Sequence, residues 1–358
     1  MAYTTVDNPG AFFNSLLYAG SASTWVAHTG VGFQPDMTWH KSRTSTGWHG
    51  VADSVRGVDA SPGCKAVYAN ETNAEETSTT EYLDGYQSDG FTTGVNGSFG
   101  APSNDYVAWC WKAGTTSGIT TDGATTITPS AYSFNTTSKF SILEYTGNGN
   151  NDAKVAHGLG GAPGVVLIKK TNAVGQWTMH HPGLATPNRQ GLVLNLTDAV
   201  ETDNYPTWSF WYNTNPDSVN FTLGDSTGWN NSGDTYIAYC WQGIQGYSKF
   251  GSYVGNGDAD GAFVYTGFRP AYVMCKYTGV ENWAITDDKR LGYNVANYQL
   301  YANATNVEVT NVRMDIVSNG FKARTTNAEW NGSGNSYIYM AFASSPFTNA
   351  EGVATNAR

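Results

Sequence analysis

Gly267-Phe268-Arg269-Pro270-Ala271-Tyr272-Val273-Met274-Cys275-Lys276 reads as a strand opened by a proline. Apolar residues stand two and four places after Pro270, and the proline sits where no ladder donor is needed. Two other stretches share this skeleton. Gly32-Phe33-Gln34-Pro35-Asp36-Met37-Thr38-Trp39-His40-Lys41 is a close copy, and Gly161-Ala162-Pro163-Gly164-Val165-Val166-Leu167-Ile168-Lys169 is a looser one. Each places a lysine six residues after its proline.

Other landmarks recur around these strands. About seventeen residues before each proline lies a Tyr-x-Gly: Tyr18-Ala19-Gly20, Tyr145-Thr146-Gly147 and Tyr253-Val254-Gly255. Trp48, Trp177 and Trp283 follow the prolines, and we read them as core. A turn comes next, Tyr68-Ala69-Asn70 against Tyr301-Ala302-Asn303, with a weaker version at Asn195. Then come Ser88-Asp89-Gly90-Phe91, Ser218-Val219-Asn220-Phe221 and Ser318-Asn319-Gly320-Phe321. Each copy closes on Tyr106-Val107-Ala108-Trp109-Cys110-Trp111, Tyr236-Ile237-Ala238-Tyr239-Cys240-Trp241 or Tyr337-Ile338-Tyr339-Met340-Ala341-Phe342. One order of landmarks, met three times, makes the chain a threefold internal repeat.

The repeat divides the 358 residues into an N-terminal docking segment (1–16), repeat one (17–112), a Thr/Ser/Gly-rich connector (113–138), repeat two (139–242), repeat three (243–343) and a polar tail (344–358). The connector reads as an extended arm or a flexible linker. Asp7-Asn8-Pro9-Gly10 could cap a short helical turn carrying Phe12, Phe13, Leu16 and Leu17. Aromatics at 14% with charged residues at only 13% suit an all-β protein rich in tight turns. In the closing strands one face is bulky and the other small, as with Val107, Trp109 and Trp111 against Ala108 and Cys110. The expected fold is therefore all-β: three tandem antiparallel β-sandwich, jelly-roll-like repeats, each of about seven or eight strands.

The net charge of −10 offers no electrostatic footprint for nucleic acid or an anionic membrane. There is no run of 18 apolar residues, so no membrane insertion is expected. The amino terminus lacks the pattern of a secretory signal peptide. Cys64, Cys110, Cys240 and Cys275 form no C-x-x-C pair and read as small buried residues rather than disulfides.

Candidate functional residues follow from the same repetition. Phe99, Trp229 and Trp330 each lie seven residues before a closing tyrosine, in polar, turn-rich loops. A large aromatic there can stack on a sugar or touch another subunit; alternatively it folds back to plug the end of the sandwich. Phe12 and Phe13 are candidates for docking on another protein, or else pack on the chain's own first repeat. Lys41, Lys169 and Lys276 are candidate ligands for an anionic sugar or a neighbouring carboxylate; by parity they fall on the inward face, where the stem can instead cover the core while the ammonium reaches water. Asn70, Asn195 and Asn303 match glycosylation triplets, but their place in the repeated turn gives turn geometry as the better account. No metalloprotease, nucleophile-elbow, Walker or dinucleotide motif is present, so neither catalytic residues nor cofactor nor metal is assigned, and an enzyme is not expected.

As a set, "GFQPDMTWHKSR…DSVRG…ETNAE…SDGF…DYVAWCWKAG", "YTGNG…HGLGGAP…SGDTYIAYCW" and "GYSKFGSYVGNG…FVYTGFRPAYVMCK…SNGFKAR…SGNSYIYMAFASSPF" resemble a tail-fibre-like virion protein family of marine tailed bacteriophages. The resemblance covers nearly the whole chain, and the repeats of that family resemble concanavalin A-like or SPRY-type sandwiches. It implies a protein of the virion surface, at the tail periphery or on the capsid exterior, made in the host cytoplasm. Its implied partners are other virion proteins, met through the N-terminal segment, and a host surface glycan or receptor. It also implies a homotrimer. A capsid decoration or tail accessory protein is the alternative, and a surface-polysaccharide depolymerase a second one. Repeat two departs from the pattern, with Gly161-Ala162-Pro163 in place of Gly-Phe-x-Pro.

Overall fold

The computed structural model of the chain describes residues 3–58, 63–290, 294 and 296–355. It is all-β, with one short 3-10 turn at Pro9–Ala11 among the described residues. Each repeat contributes one large antiparallel sheet built in the same order. An opening strand (Phe13–Ala19, Phe140–Thr146 or Ser248–Val254) pairs with the closing strand (Asp105–Trp111, Thr235–Trp241 or Ser336–Pro346). Beyond the closing strand lie the proline strand (Met37–Ser42, Val165–Lys170 or Phe268–Tyr277) and a fourth strand (Gly50–Asp53, Trp177–His180 or Trp283–Asp287). A smaller antiparallel set faces each large sheet: Val26–Thr29 with Gly90–Thr93 and Leu83–Gln87, Ala153–Ala156 with Asn220–Leu223, and Phe263–Tyr265 with Gly320–Ala323 and Val309–Val317.

The two-faced closing strands explain how these sheets assemble. Their small faces, Ala108 and Cys110, Ala238 and Cys240, and Tyr339 and Ala341, enter three separate clusters. Each cluster lies between a large sheet and its own small set, reaching Phe91, Phe221 or Phe321. The bulky faces meet one another instead. Trp109, Trp111, Tyr239, Trp241, Met340 and Phe342 share a single central cluster with Trp39, Leu167 and Met274 of the proline strands. Full burial is worth roughly 1.5–3 kcal/mol per large apolar side chain, so this shared core is the main store of stability.

Backbone bonds close the three repeats into a ring. Glu75 N donates to Thr171 O (2.7 Å) and Gly175 N to Thr72 O (2.9 Å), joining repeat one to repeat two. Val200 N to Thr278 O (2.8 Å) and Glu281 N to Thr197 O (2.9 Å) join two to three. Glu308 N to Arg43 O (2.9 Å) and Gly47 N to Thr305 O (3.1 Å) join three back to one. Each pair matches a hairpin tip of one repeat with the repeated turn of another.

Several sequence expectations are corrected here. Phe13, Leu16 and Leu17 lie in a strand that starts within the segment read as preceding repeat one, not in a helical turn. The connector is neither a free arm nor a linker. Its Ala131–Asn135 pairs along Phe140–Glu144, and Ile127 is buried in the cluster of repeat two. Trp48 is 37% exposed, because the strand register places His49, not Trp48, opposite Lys41, where Trp177 and Trp283 stand opposite Lys169 and Lys276.

Candidate functional site

The repeated landmarks first explain the ends of the repeats. Tyr18, Tyr145 and Tyr253 donate their hydroxyls to the carbonyls of Phe99 (2.5 Å), Trp229 (2.7 Å) and Trp330 (2.7 Å). Those three aromatics are 0%, 5% and 0% exposed and lie in the three separate clusters. They are folded inward rather than displayed as a platform, and the structure does not bring them together. The Tyr-x-Gly glycines serve the same loops. A Cβ on Gly20, Gly147 or Gly255 would overlap the carbonyl oxygen of Ala101, Asn231 or Gly332. Phe13 is 1% exposed, its ring stacked on Phe342 at 5.0 Å, while Phe12 is half-buried beside Tyr247. Phe13 is thus spent inside the chain's own core.

The lysines are buried too, contrary to the expectation that their ammoniums reach water. Lys41 donates to Ser42 O (2.7 Å), Lys169 to Lys170 O (2.8 Å) and Thr72 O (3.2 Å), and Lys276 to Tyr277 O and Gly279 O (both 2.5 Å). Burial lowers their pKa to about 8, 7 and 8. Asn70, Asn195 and Asn303 accept the backbone N–H of His49 (2.7 Å), Trp177 (2.9 Å) and Trp283 (2.9 Å), a turn role. Neighbouring repeats are then tied through this position. Trp177 Nε1 donates to Tyr68 O (2.8 Å) and Trp283 Nε1 donates to Val193 O (3.2 Å), while His49 Nδ1 accepts from Trp39 Nε1 (2.9 Å) within its own repeat.

Two buried ion-pair triads sit at the repeat boundaries. Arg56 pairs with Asp53 (2.6 Å) and Glu75 (3.3 Å), and Arg290 with Asp287 (2.6 Å) and Glu308 (3.1 Å). Each aspartate also accepts from the next closing strand, Asp53 from the Tyr239 hydroxyl (2.7 Å) and Asp287 from Trp109 Nε1 (2.9 Å). Repeat two has His181 in register with the two aspartates, its Nε2 donating to Tyr339 O (3.1 Å). These triads are closed structural units. Their Asp-x-x-Arg spacing was the available sequence signal.

An open cleft of about 730 Å³ lies where repeat one meets the connector. Its walls are the proline-strand entrance (Gln34, Asp36), the turn after the fourth strand (Ser54, Val55), the closing-strand exit (Lys112) and the connector strand (Tyr132, Ser133). Asp36 is fixed from three sides: Ser54 Oγ (3.0 Å) and Ser133 Oγ (3.2 Å) donate to Oδ1, and Ala113 N (2.8 Å) to Oδ2. Burial raises its pKa, opposed by these bonds and by Lys112. A carboxylate with acceptor capacity left on Oδ2, flanked by an amide, an ammonium, hydroxyls and a tyrosine ring, can bind a polyol. Sequence reasoning passed over this residue. Its signal was a departure from the repeat: Asp36 follows its proline where Gly164 and Ala271 follow theirs.

A model of one protein family, described as a domain of unknown function (DUF7483), matches residues 8–346. The chain belongs to that family. No curated protein and no solved structure matches it. The DUF7483 match spans all three repeats and the connector, so the ring and its clefts fall within the family unit. Among the described residues no group of three or more His, Cys, Asp or Glu could hold a metal, and no helix is long and apolar enough to cross a membrane.

Proposed function

We propose that this chain is a bacteriophage virion surface protein, a tail-fibre or spike component of three tandem β-sandwich, jelly-roll-like repeats, that binds a glycan of the host surface through the Asp36 cleft. The observation that carries the glycan reading is the cleft itself: an oriented carboxylate beside an amide, hydroxyls and a tyrosine ring, placed at the ends of the proline and fourth strands and on the connector strand. That is the chemistry of hydroxyl recognition on a rigid support. The virion assignment rests on the sequence resemblance. Three like repeats closing one threefold core in a single chain make a homotrimer unnecessary for this reading.

The test is a glycan array probed with the full chain and with Gln34→Ala/Tyr132→Ala. Gln34 is exposed on the cleft wall, whereas the Tyr132 ring is partly buried there and packs against the repeat-two cluster. The expected result is a defined set of glycans lost in the double variant and already weakened in Gln34→Ala alone, the single change leaving Tm unchanged. An array without signal, or one the variant leaves untouched, sinks the cleft reading. A capsid decoration or tail accessory role is the second reading. It is favoured by the inward burial of Phe99, Trp229 and Trp330, which leaves the loop ends without their largest aromatics. Localising a tagged copy in intact virions by electron microscopy separates the two.

A further inference from the structure

The two repeat junctions that the chain crosses covalently are built alike but filled differently. Ala162, Gly164, Pro182 and Gln242 are the register counterparts of Gln34, Asp36, Ser54 and Lys112, and they line a second cleft of about 540 Å³ between repeats two and three. In the first junction the connector strand Ala131–Asn135 forms one wall by pairing along the opening strand Phe140–Glu144. In the second junction the corresponding stretch is Ser248–Ser252. Among the described residues its strand has a single ladder neighbour, the closing strand Ser336–Pro346. The join Gln242–Tyr247 supplies only a single bridge, Ile244 with Ser248 (3.0 and 2.9 Å), at the start of the strand.

Two clefts flank this uncovered edge. Ser248, Lys249 and Phe250 border the first; Ser252, Tyr253 and Val254 border another of about 390 Å³, opposite Gly183 and Leu184. Between them Gly183 packs close to the Gly251 carbonyl. Its counterpart Val55 lines the first cleft together with Ala131 and Tyr132 of the connector strand. An edge strand presents unpaired N–H and C=O groups, and such edges recruit extended segments from other chains.

We propose that the outer edge of the Ser248–Val254 strand, from Phe250 onward, is a strand-addition site for an extended, uncharged segment of a partner protein, rich in serine and threonine with aromatics at alternate positions. That chemistry is copied from the connector, where Tyr132-Ser133-Phe134 occupies the matching edge without a single charge. The edge itself carries one charge, Lys249, whose ammonium already donates to Tyr265 O (2.6 Å). Nothing at this edge therefore calls for an acidic or basic segment. The site is independent of the glycan reading.

The probe is a blocked peptide with the sequence of residues 129–137, titrated into the full chain while backbone amide exchange is followed. The tethered connector strand holds its own place at high effective concentration, which leaves the empty edge for the free peptide. The expected result is saturable binding with slowed exchange confined to Phe250–Val254. Ser252→Lys/Val254→Lys charges two exposed edge positions and is expected to weaken binding by about tenfold or more at unchanged Tm. Absence of edge protection at saturating peptide, or protection indifferent to the two lysines, overturns the proposal. Protection without peptide, together with a dimer in sedimentation, overturns it as well, since a second copy would then hold the edge.

Discussion

Every histidine of the chain is kept uncharged by burial. The pKa values of His28, His157 and His180 are lowered to about 4 and those of His40 and His181 to about 3, while His49 is held well below the ordinary value. An unfolded histidine protonates near ~6.5, so on acidification the unfolded chain takes up protons that the fold refuses. Stability is therefore complete above the unfolded pKa and lost as the pH falls from there toward about 4. The buried lysines have the same sign at higher pH. Depressed when folded, they oppose folding while charged, and their penalty fades as the pH rises through about 7 to 8 toward the unfolded value. Tm should thus climb from acid to about pH 9, where ordinary thiols begin to ionise and the raised pKa values of buried Cys110, Cys240 and Cys275 offset the further gain from the lysines. A flat profile measured by circular dichroism would remove this account. Gly147→Ala tests the close approach of its loop: the added methyl meets the Asn231 carbonyl and should cost about 1–3 kcal/mol by urea unfolding.

At the level of strands and turns, the ion-pair triads set the sharpest expectation. Arg290→Met leaves Asp287 buried with Trp109 as its remaining side-chain donor, and should destabilise by about 3–5 kcal/mol. Asp287→Asn/Arg290→Met, which removes both charges, should recover part of the loss; equal losses in the single and double variants would deny the pair its role. Much of this level was legible in the sequence. The proline, Tyr-x-Gly and closing-strand landmarks each became one piece of a large sheet, because period-two patterning and turn residues act locally. What stayed hidden needed register or a neighbour. Trp48 aligns with Trp177 by spacing, yet a one-residue offset in the hairpin gives the core position to His49. Parity put Lys41 on the inward face but could not say that hairpin carbonyls, rather than water, would meet its ammonium. The loop aromatics were found as a set, and only the tyrosine bonds to their carbonyls reveal them as plugs. Asp36 was quoted within a strand motif, while its partners Ser54 and Ser133 come from distant segments.

Over the whole molecule, the bulky faces of the three large sheets pack into one cluster, so that cluster is complete only when all three repeats are present. Thermal unfolding should accordingly show one transition with calorimetric and van't Hoff enthalpies in agreement. Three separable transitions would mean that the repeats fold alone. A chain ending at residue 242 should expose the faces of repeats one and two and be recovered as aggregate. The axis of the ring is also unequal: Trp109, Tyr239 and Met340 occupy one register position, and the groups facing them are Asp287, Asp53 and the neighbourhood of His181. Swapping two repeats would set a donor against a residue that cannot accept it, or strand an aspartate without one. Covalent linkage has thus allowed each unit to specialise for a single seat, and a shuffled chain with the same amino-acid content should fail to assemble.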